Sequence, residues 1–551
     1  MQQPIIANMP GWRFGRRTTL AALLAVGVLL RADLLGTPFV EYFSNREVQN
    51  ALPARLFREG AATFRNLPIE FTEDHVVAEL PLLPLLVHQG YRALEVVGLA
   101  HAPARGDAVA AEQYYRQIAL LGRLWSVLMA VVAMFFLWRL LSEGWSELAG
   151  QLALLSYAVL PYNRFFDQLF LTEPTIMALS VFGLYQLWRW STAETREGWR
   201  MAWAAPAFAL TILLKVSHAF LVLPMAWLFW RRLRWRALWH WPSWLFAVVV
   251  LLPPVYFYEL RGSWIGGGGD TMPLHNLARL FAGWSYSWHW VSLPVRRLVW
   301  SIATPLGAPL CGLGLWVAWR ERAGRRRGLP HLLMVWAAGW IVYWFVAGEM
   351  SGHFYYQAPA VPIVAALIGI GAAWLSGRWP AIRAPMPAGL MAFCLAWNPG
   401  VQRSNDQESR FWRGPWCRTV MQAGLAVDRL LPPDAVYVSG SRDAVARMLT
   451  YYSHRKARLL VVDDPARPAA EGPARLEALR RDGATYYVAP LGYDGPKYNG
   501  VVFDRQVFGR LPIASYLLDH YPVVDETDSH IIFALAAPLP ATAGSLASPL
   551  R

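Results

Sequence analysis

Glu173 is the residue in this sequence that most needs a reason. It lies in QLFLTEPTIMALSVFGLYQLWRW, just inside a run apolar enough for hydrocarbon, where an ionised carboxylate costs roughly 3 kcal/mol or more. Thr172 precedes it and Pro174 follows; proline is tolerated in a first helical turn because those N–H groups have no intrahelical partner. Two readings stand. Glu173 caps the start of a span, which the helix dipole favours by roughly 0.3–1 kcal/mol, or it is held at a membrane boundary to work on a ligand. Cations occupy comparable places. Lys215 and His218 interrupt LTILLKVSHAFLVLP, and Arg123 lies well inside the apolar run that Arg116 opens. An unpaired cation in hydrocarbon is expensive, whereas Arg and Lys are natural partners of phosphate. Snorkelling accounts for each singly; a site for an anionic headgroup accounts for them together. GEMSGHFYYQAPAVPIVAALIGIG adds Glu349, His353, Tyr355, Tyr356 and Gln357 at the head of another apolar run.

Further acids lie between the first two apolar runs: Asp33, Glu41, Glu47 beside Arg46, then Glu73, Asp74 and Glu79, with His75 among them. Loop acids are normally just solvated. Glu79 differs in directly adjoining a membrane-seeking stretch: NALPARLFREGAATF and PLLPLLVHQGYRALEVVG have apolar residues recurring at helical spacing and predict amphipathic helices along a membrane surface. In PYNRFFDQ, Arg164 and Asp167 are spaced for an interfacial ion pair.

These residues need elements to position them, and composition says which kind. The chain has 551 residues, 55% hydrophobic and 16% charged, with 29 Trp, too apolar for an ordinary soluble protein. Segments of mostly apolar residues fall near 17–35, 115–138, 146–162, 168–189, 200–217, 217–231, 237–258, 296–318, 331–347, 357–375 and 383–399, which predicts about eleven transmembrane helices. The formal charge of +14 does not point to nucleic acid, because Lys and Arg gather in short runs between apolar segments. With the N-terminus cytoplasmic, RFGRR, RWSTAETREGWR, RRLRWR, RERAGRRRG and SGRWPAIR all fall on the cytoplasmic side. The first run has basic residues before it, as a signal peptide does, but no small-x-small cleavage site, and reads as a retained first span. The loop 259–295 carries a flexible Gly run and an aromatic belt.

From about Asn405 the pattern changes. DAVYVSGS, RLLVVDD and GATYYVAPL are short strand-like runs separated by the helical patterns SRDAVARMLTYYS and PARLEALRRDG, which predict a small α/β domain with a partly parallel sheet. The fold class expected is thus a mainly α polytopic membrane protein, with a transmembrane module over 1–400 (first outer loop 36–114), an extracytoplasmic α/β domain over 401–539 and a disordered tail over 540–551. Cys311, Cys394 and Cys417 form neither a disulfide framework nor a zinc pattern.

Six stretches in order over residues 17–375 resemble GT-C-fold integral membrane glycosyltransferases of the protein O-mannosyltransferase and aminoarabinose-transferase-like group (glycosyltransferase family 39-like). REVQNALPARLFREG is similar to that group's first-loop D-E-x-x-Y-A or R-Q-A-Q-T-A stretch, AELPLLPLLVHQGYRALE to an E-F-P-L-Y-x-Y-L segment, and GRLWSVLMAVVAM to G-R-L-x-S. LTEPTIMAL is similar to a D/E-P at the start of the fourth span, LLKVSHAFLVLP to a K-x-S turn, and GHFYYQAPAVPIVAALIGIG to H-x-Y-Y-x-x-x-x-x-P. The resemblance implies an inverting sugar transfer from a polyprenyl-phosphate-linked donor to an extracytoplasmic acceptor, at the cytoplasmic (inner) membrane. It implies a first-loop carboxylate as general base, with basic residues on the leaving phosphate. The sequence departs from the pattern where Arg46 precedes Glu47 in place of Asp before Glu, so the base is Glu47 by adjacency or Glu79 by its place before the surface helix. Glu173 matches the second acid. Arg46, Arg123, Lys215, His353, Tyr355 and Tyr356 are the expected contacts to donor phosphate and sugar. No D-x-D motif is present, which weakens a divalent metal's role without excluding it. The competing classes are a transporter or flippase of lipid-linked sugars, which needs polar residues in both membrane halves, and a non-catalytic envelope scaffold.

Overall fold

Hydrocarbon offers no water to the backbone, so an apolar run must pair its own N–H and C=O groups, and a helix does so. The computed structural model of the chain describes residues 16–40, 44–60, 80–100, 107–194, 197–260, 292, 295–323, 328–347, 354–403, 417–441, 443–461, 471–494 and 502–536. Each apolar segment contains a helix. In order the helices are α1 (Arg16–Leu29), then α2 (Ser44–Arg58) and α3 (Leu82–Val96) in the first loop, α4 (Ala108–Gly144), α5 (Glu147–Val159), the short α6 (Pro161–Phe166), α7 (Glu173–Thr192) and α8 (Gly198–Leu214). They continue with α9 (Val222–Leu233), α10 (Trp241–Val255), α11 (Thr304–Arg320), α12 (Leu329–Ala347), α13 (Val361–Arg378) and α14 (Pro385–Arg403).

Among the described residues, Val109–Gly144, Trp241–Tyr258 and Tyr355–Arg378 are each long and apolar enough to cross a membrane, and Val295–Ile302 with Thr304–Arg320, bent by 113°, makes a further span if counted as one. Helix α5 is shorter because the chain interrupts it. The 13 residues of α5 reach about 20 Å, short of a hydrocarbon core of about 30 Å, since Pro161 biases the residue before it out of helix. By contrast α4 overruns its predicted span at both ends. Asp107 caps it, accepting from the Val109 and Ala110 N–H groups at 3.0 Å each, and satisfies donors that would otherwise be orphaned.

Helices α11 and α13 meet backbone to backbone. A methyl on Gly314 would lie 1.9 Å from the Leu367 carbonyl oxygen, and one on Gly371 2.2 Å from that of Leu310. Close approach through small residues replaces the hydrophobic drive that lipid cannot supply.

The remaining elements are α15 (Arg418–Leu430), β1 (Val436–Ser439), α16 (Asp443–Ser453), β2 (Lys456–Leu459), α17 (Glu471–Arg481), β3 (Tyr486–Pro490), β4 (Tyr493–Asp494), β5 (Val502–Phe503), α18 (Arg505–Gly509), α19 (Pro512–His520), β6 (Val523–Glu526) and β7 (His530–Ala534). The main sheet has the order β2-β1-β3-β7-β6. Its first three strands are parallel, and β7 and β6 add on antiparallel. The sheet's core is continuous with the first loop: Val438, Tyr487 and Ile532 belong to one buried cluster with Leu52, Tyr91, Tyr114 and Tyr115. The expected tail 540–551 and the Gly-rich stretch of loop 259–295 lie outside the described residues.

Candidate active site

The first turn of α7 carries Glu173, with Thr172 before the helix and Pro174 inside its start, as the sequence predicts. Helix α8 ends at Lys215, whose backbone is extended before the 3-10 turn Val216–Leu221. Lys215 Nζ lies 2.6 Å from Glu173 Oε1, and both side chains are more than nine-tenths buried. Two aromatic faces cover the ammonium: the ring centres of Tyr355 and Tyr356, in the 3-10 turn Phe354–Ala360 that leads into α13, lie 4.6 and 4.3 Å from Nζ. This contact helps hold a desolvated cation. His218, next in the turn, is buried against the Phe220 and Tyr343 rings.

Arg46 joins the cluster from α2. Its guanidinium donates to the Tyr355 hydroxyl, lies 4.6 Å over the Tyr355 ring and donates to Gln49 Oε1 at 2.6 Å. Among the described residues no carboxylate pairs with Arg46. Glu173 Oε2 is also lightly held, its nearest donor there being the Thr172 hydroxyl at 3.5 Å. The cluster therefore offers a carboxylate oxygen able to take a proton and cations able to hold an anion.

Glu47, the next residue on α2, is held in a different way. Arg123 Nε and Nη2 donate to its two oxygens at 2.8 Å each, and the Phe170 N–H donates at 2.9 Å. Both side chains of the pair are 0% exposed. Arg123 Nη1 reaches the Thr37 carbonyl and hydroxyl at 2.8 Å each and the Leu34 carbonyl. Gly122 is what admits Phe170: a Cβ there would lie 2.3 Å from its ring. A bidentate pair whose spare hydrogen bonds are filled is the arrangement in which burying two charges is tolerable.

Glu173, Lys215, Tyr355, Tyr356 and Arg46 thus meet in one cluster, with the Glu47–Arg123 pair beside it through α2. Glu79 and His353 lie outside the described residues. Arg116 pairs with Glu112 on the helix surface at 2.7 Å, away from the cluster. The expected Arg164–Asp167 pair is replaced by two others: Asp167 is buried against Arg31 at 2.8 Å, and Arg164 faces Asp33 at 3.5 Å. The cause is α1, which packs on α5 and presents Arg31 to the Gly27, Ala158 and Tyr157 carbonyls as well. Sequence reasoning missed the supports Thr37, Gln49, Asn50 and the Phe170 N–H. The one signal was NREVQN, in which Arg46–Gln49 and Glu47–Asn50 are spaced i, i+3; Asn50 holds the Phe170 carbonyl at 2.9 Å. Among the described residues no three His, Cys, Asp or Glu side chains converge as metal ligands.

No family model matches the chain, and no curated protein matches its sequence. Solved structures do match its fold. ArnT from Cupriavidus metallidurans bound to undecaprenyl phosphate is 15% identical with a TM-score of 0.58, the match covering 94% of this chain and 97% of that one. The Archaeoglobus fulgidus oligosaccharyltransferase in complex with Zn and sulfate is 13% identical with a TM-score of 0.51, over 93% of this chain and 72% of that one. The arabinofuranosyltransferase AftD from mycobacteria is 15% identical with a TM-score of 0.54, over 95% of this chain but 40% of that one. Likeness at these identities speaks to architecture: the chain has the GT-C fold of membrane glycosyltransferases.

Proposed function

We propose that the chain is a polytopic membrane glycosyltransferase that moves a sugar from a polyprenyl-phosphate-linked donor to an acceptor outside the cytoplasmic membrane, with inversion. It crosses the membrane about eleven times, its N-terminus in the cytoplasm and its sheet-bearing C-terminal unit outside. The observation that carries this reading is the cluster in which Lys215 sits between Glu173 and two tyrosine faces, with Arg46 alongside. In one displacement the acceptor oxygen or nitrogen bonds to the anomeric carbon as the bond from that carbon to phosphate oxygen breaks. The acceptor's proton passes to a carboxylate, and polyprenyl phosphate leaves with added negative charge. Fixed cations at that phosphate stabilise the charge as it develops. Arg46 and Lys215 supply them, and Tyr355 and Tyr356 line the donor's path.

Among the described carboxylates of the cluster, Glu173 has the oxygen open to a proton, so we assign it the base or acceptor-orienting role. Glu79 is its competitor. Glu47 has both oxygens engaged by donors, so it is poorly placed to take the acceptor's proton; its role is to hold α2 against α4. The acceptor is a glycan, lipid or protein of the envelope. Mass spectrometry of envelope glycans and glycolipids from cells with the chain, without it, and with Glu173→Gln or Glu79→Gln tests the reading. One sugar missing without the chain and with Glu173→Gln is expected; identical glycans in every strain contradict it.

A further inference from the structure

An α-helix leaves its last four carbonyls without intrahelical partners, and in α16 side chains from elsewhere take them. Arg55 Nη1 donates to the Thr450 and Tyr451 carbonyls at 2.9 and 2.7 Å. The Tyr115 hydroxyl lies 2.7 Å from His454 Nε2, 3.1 Å from the Tyr452 carbonyl and 3.3 Å from that of Tyr451, and Arg455 Nη1 reaches the Ser453 carbonyl at 3.3 Å. All three side chains are buried. A cation there also meets the negative end of the helix dipole.

Arg455 belongs to the C-terminal unit itself, but Arg55 is on α2 and Tyr115 on α4, the two helices that carry Glu47 and Arg123. Arg55 stands eight residues after Glu47, and Tyr115 eight before Arg123, about 12 Å along each helix. A further contact runs through the loop after α1. The Tyr452 hydroxyl donates to the Phe39 carbonyl at 2.8 Å. The Phe39 ring lies 5.3 Å from the Arg123 guanidinium carbon and stacks on Phe170 at 6.1 Å. Phe170 is the residue whose N–H holds Glu47. One helix end therefore touches Arg55 on α2, Tyr115 on α4 and Phe39, whose ring lies against Arg123.

We propose that the end of α16 sets how α2 and α4 seat against each other, so that Arg55 and Tyr115 are positioning residues for the Glu47–Arg123 pair and for Arg46 next to it. The consequence for activity rests on the function proposed above; the seating itself does not. Glu47 and Arg55 lie on one continuous helix, which carries Pro53 two residues before Arg55, and Tyr115 and Arg123 share α4, so a shift at either outer residue is carried along its helix toward the pair. Removing Arg55 takes the donor from the Thr450 carbonyl and leaves that of Tyr451 only the longer contact to Tyr115, and relief of that penalty moves α2.

A double-substitution cycle on the full chain in lipid nanodiscs tests this, with Arg55→Met and Glu47→Gln made singly and together and undecaprenyl phosphate affinity measured for each. Sites about 12 Å apart with no shared partner have nearly additive effects. Coupling of at least about threefold in Kd supports positioning; effects that simply multiply overturn it. If the unsubstituted chain does not bind undecaprenyl phosphate, the functional reading has failed rather than this one, and hydrogen exchange decides. Faster exchange over residues 44–52 in Arg55→Met, by about tenfold, supports the proposal, and a rise confined to residues 443–455 overturns it. Should Arg55→Met not fold, Arg55→Lys and Tyr115→Phe are read in the same two assays: coupling to Glu47→Gln or faster exchange over residues 44–52 in either supports the proposal, and effects that simply multiply, with any rise confined to residues 443–455, overturn it.

Discussion

Two buried carboxylate–cation pairs stand side by side at the start of α2 and α7, and they are built in opposite ways. Glu47 and Arg123 are fully enclosed, bidentate and completed by backbone donors. Glu173 meets a lysine through one oxygen and leaves the other lightly held. Lys215 itself rests on tyrosine faces, with Arg46 close by through Tyr355. A saturated pair can only hold its helices together, because each proton or charge it might exchange is already engaged. An unsaturated pair can trade partners with a ligand. Burial alone thus does not mark a working acid; what marks it is the number of donors each oxygen already has.

Breaking the saturated pair should have the largest effect. Arg123→Met strands Glu47 as a buried, unpaired charge, and a loss of about 3–5 kcal/mol is expected in denaturant unfolding of the purified protein, or failure to accumulate folded protein. Glu173→Gln sharpens the contrast from the other side: sugar transfer falls at least about a hundredfold while the thermal unfolding midpoint stays within a few degrees. If the two substitutions exchange these outcomes, the comparison is reversed.

Smaller effects refine it. Arg46→Lys keeps the charge but loses the planar contact with Tyr355, and a lysine cannot reproduce bidentate recognition of phosphate; undecaprenyl phosphate affinity is expected to fall about tenfold, read by titration in nanodiscs. The smallest effect belongs to a carboxylate near water. Burial alone pushes Glu477 up, but hydrogen bonds from Tyr521, Arg480 and Tyr516 outweigh it and hold the carboxyl below its ordinary value. A depressed carboxylate stabilises the fold above its unfolded pKa of about 4.3 and loses that contribution as pH falls through the folded value. Glu477→Gln should therefore cost at most about 1 kcal/mol at pH 7, with the difference from the unsubstituted chain shrinking in acid, as thermal unfolding across pH will show.

Much of this was legible in the sequence, and the reasons are physical. A 17-residue apolar run has few alternatives to helix in lipid, and the first-turn proline after Glu173 fixes where α7 begins. The convergence of Glu173 with Lys215 and Tyr355 was also foreseeable, since ionisable groups in hydrocarbon need partners. The split between two kinds of acid was not. Glu47's saturation depends on a backbone N–H at Phe170 and on Gly122 admitting that ring, neither of which has a side-chain signature at Glu47 itself. Strands β6 and β7 escaped for another reason: in YPVVDETDSHIIFALA the first strand is short, irregular between Val523 and Asp525 and carries exposed valines, so no alternation announces it. Nothing in the amphipathic pattern of NALPARLFREGAATF announces the carbonyls that Arg55 serves far along the chain.

The account turns on the Glu173–Lys215–Tyr355 cluster with Arg46 as the seat of a lipid-linked phosphate. Its most direct test is undecaprenyl phosphate binding to the purified full chain in nanodiscs, compared with Lys215→Met and with the Lys215→Met, Arg46→Gln double variant, each checked for folding. Binding that weakens at least about tenfold with the first change and is lost with both is the predicted result. Equal binding by folded protein in all three would contradict it.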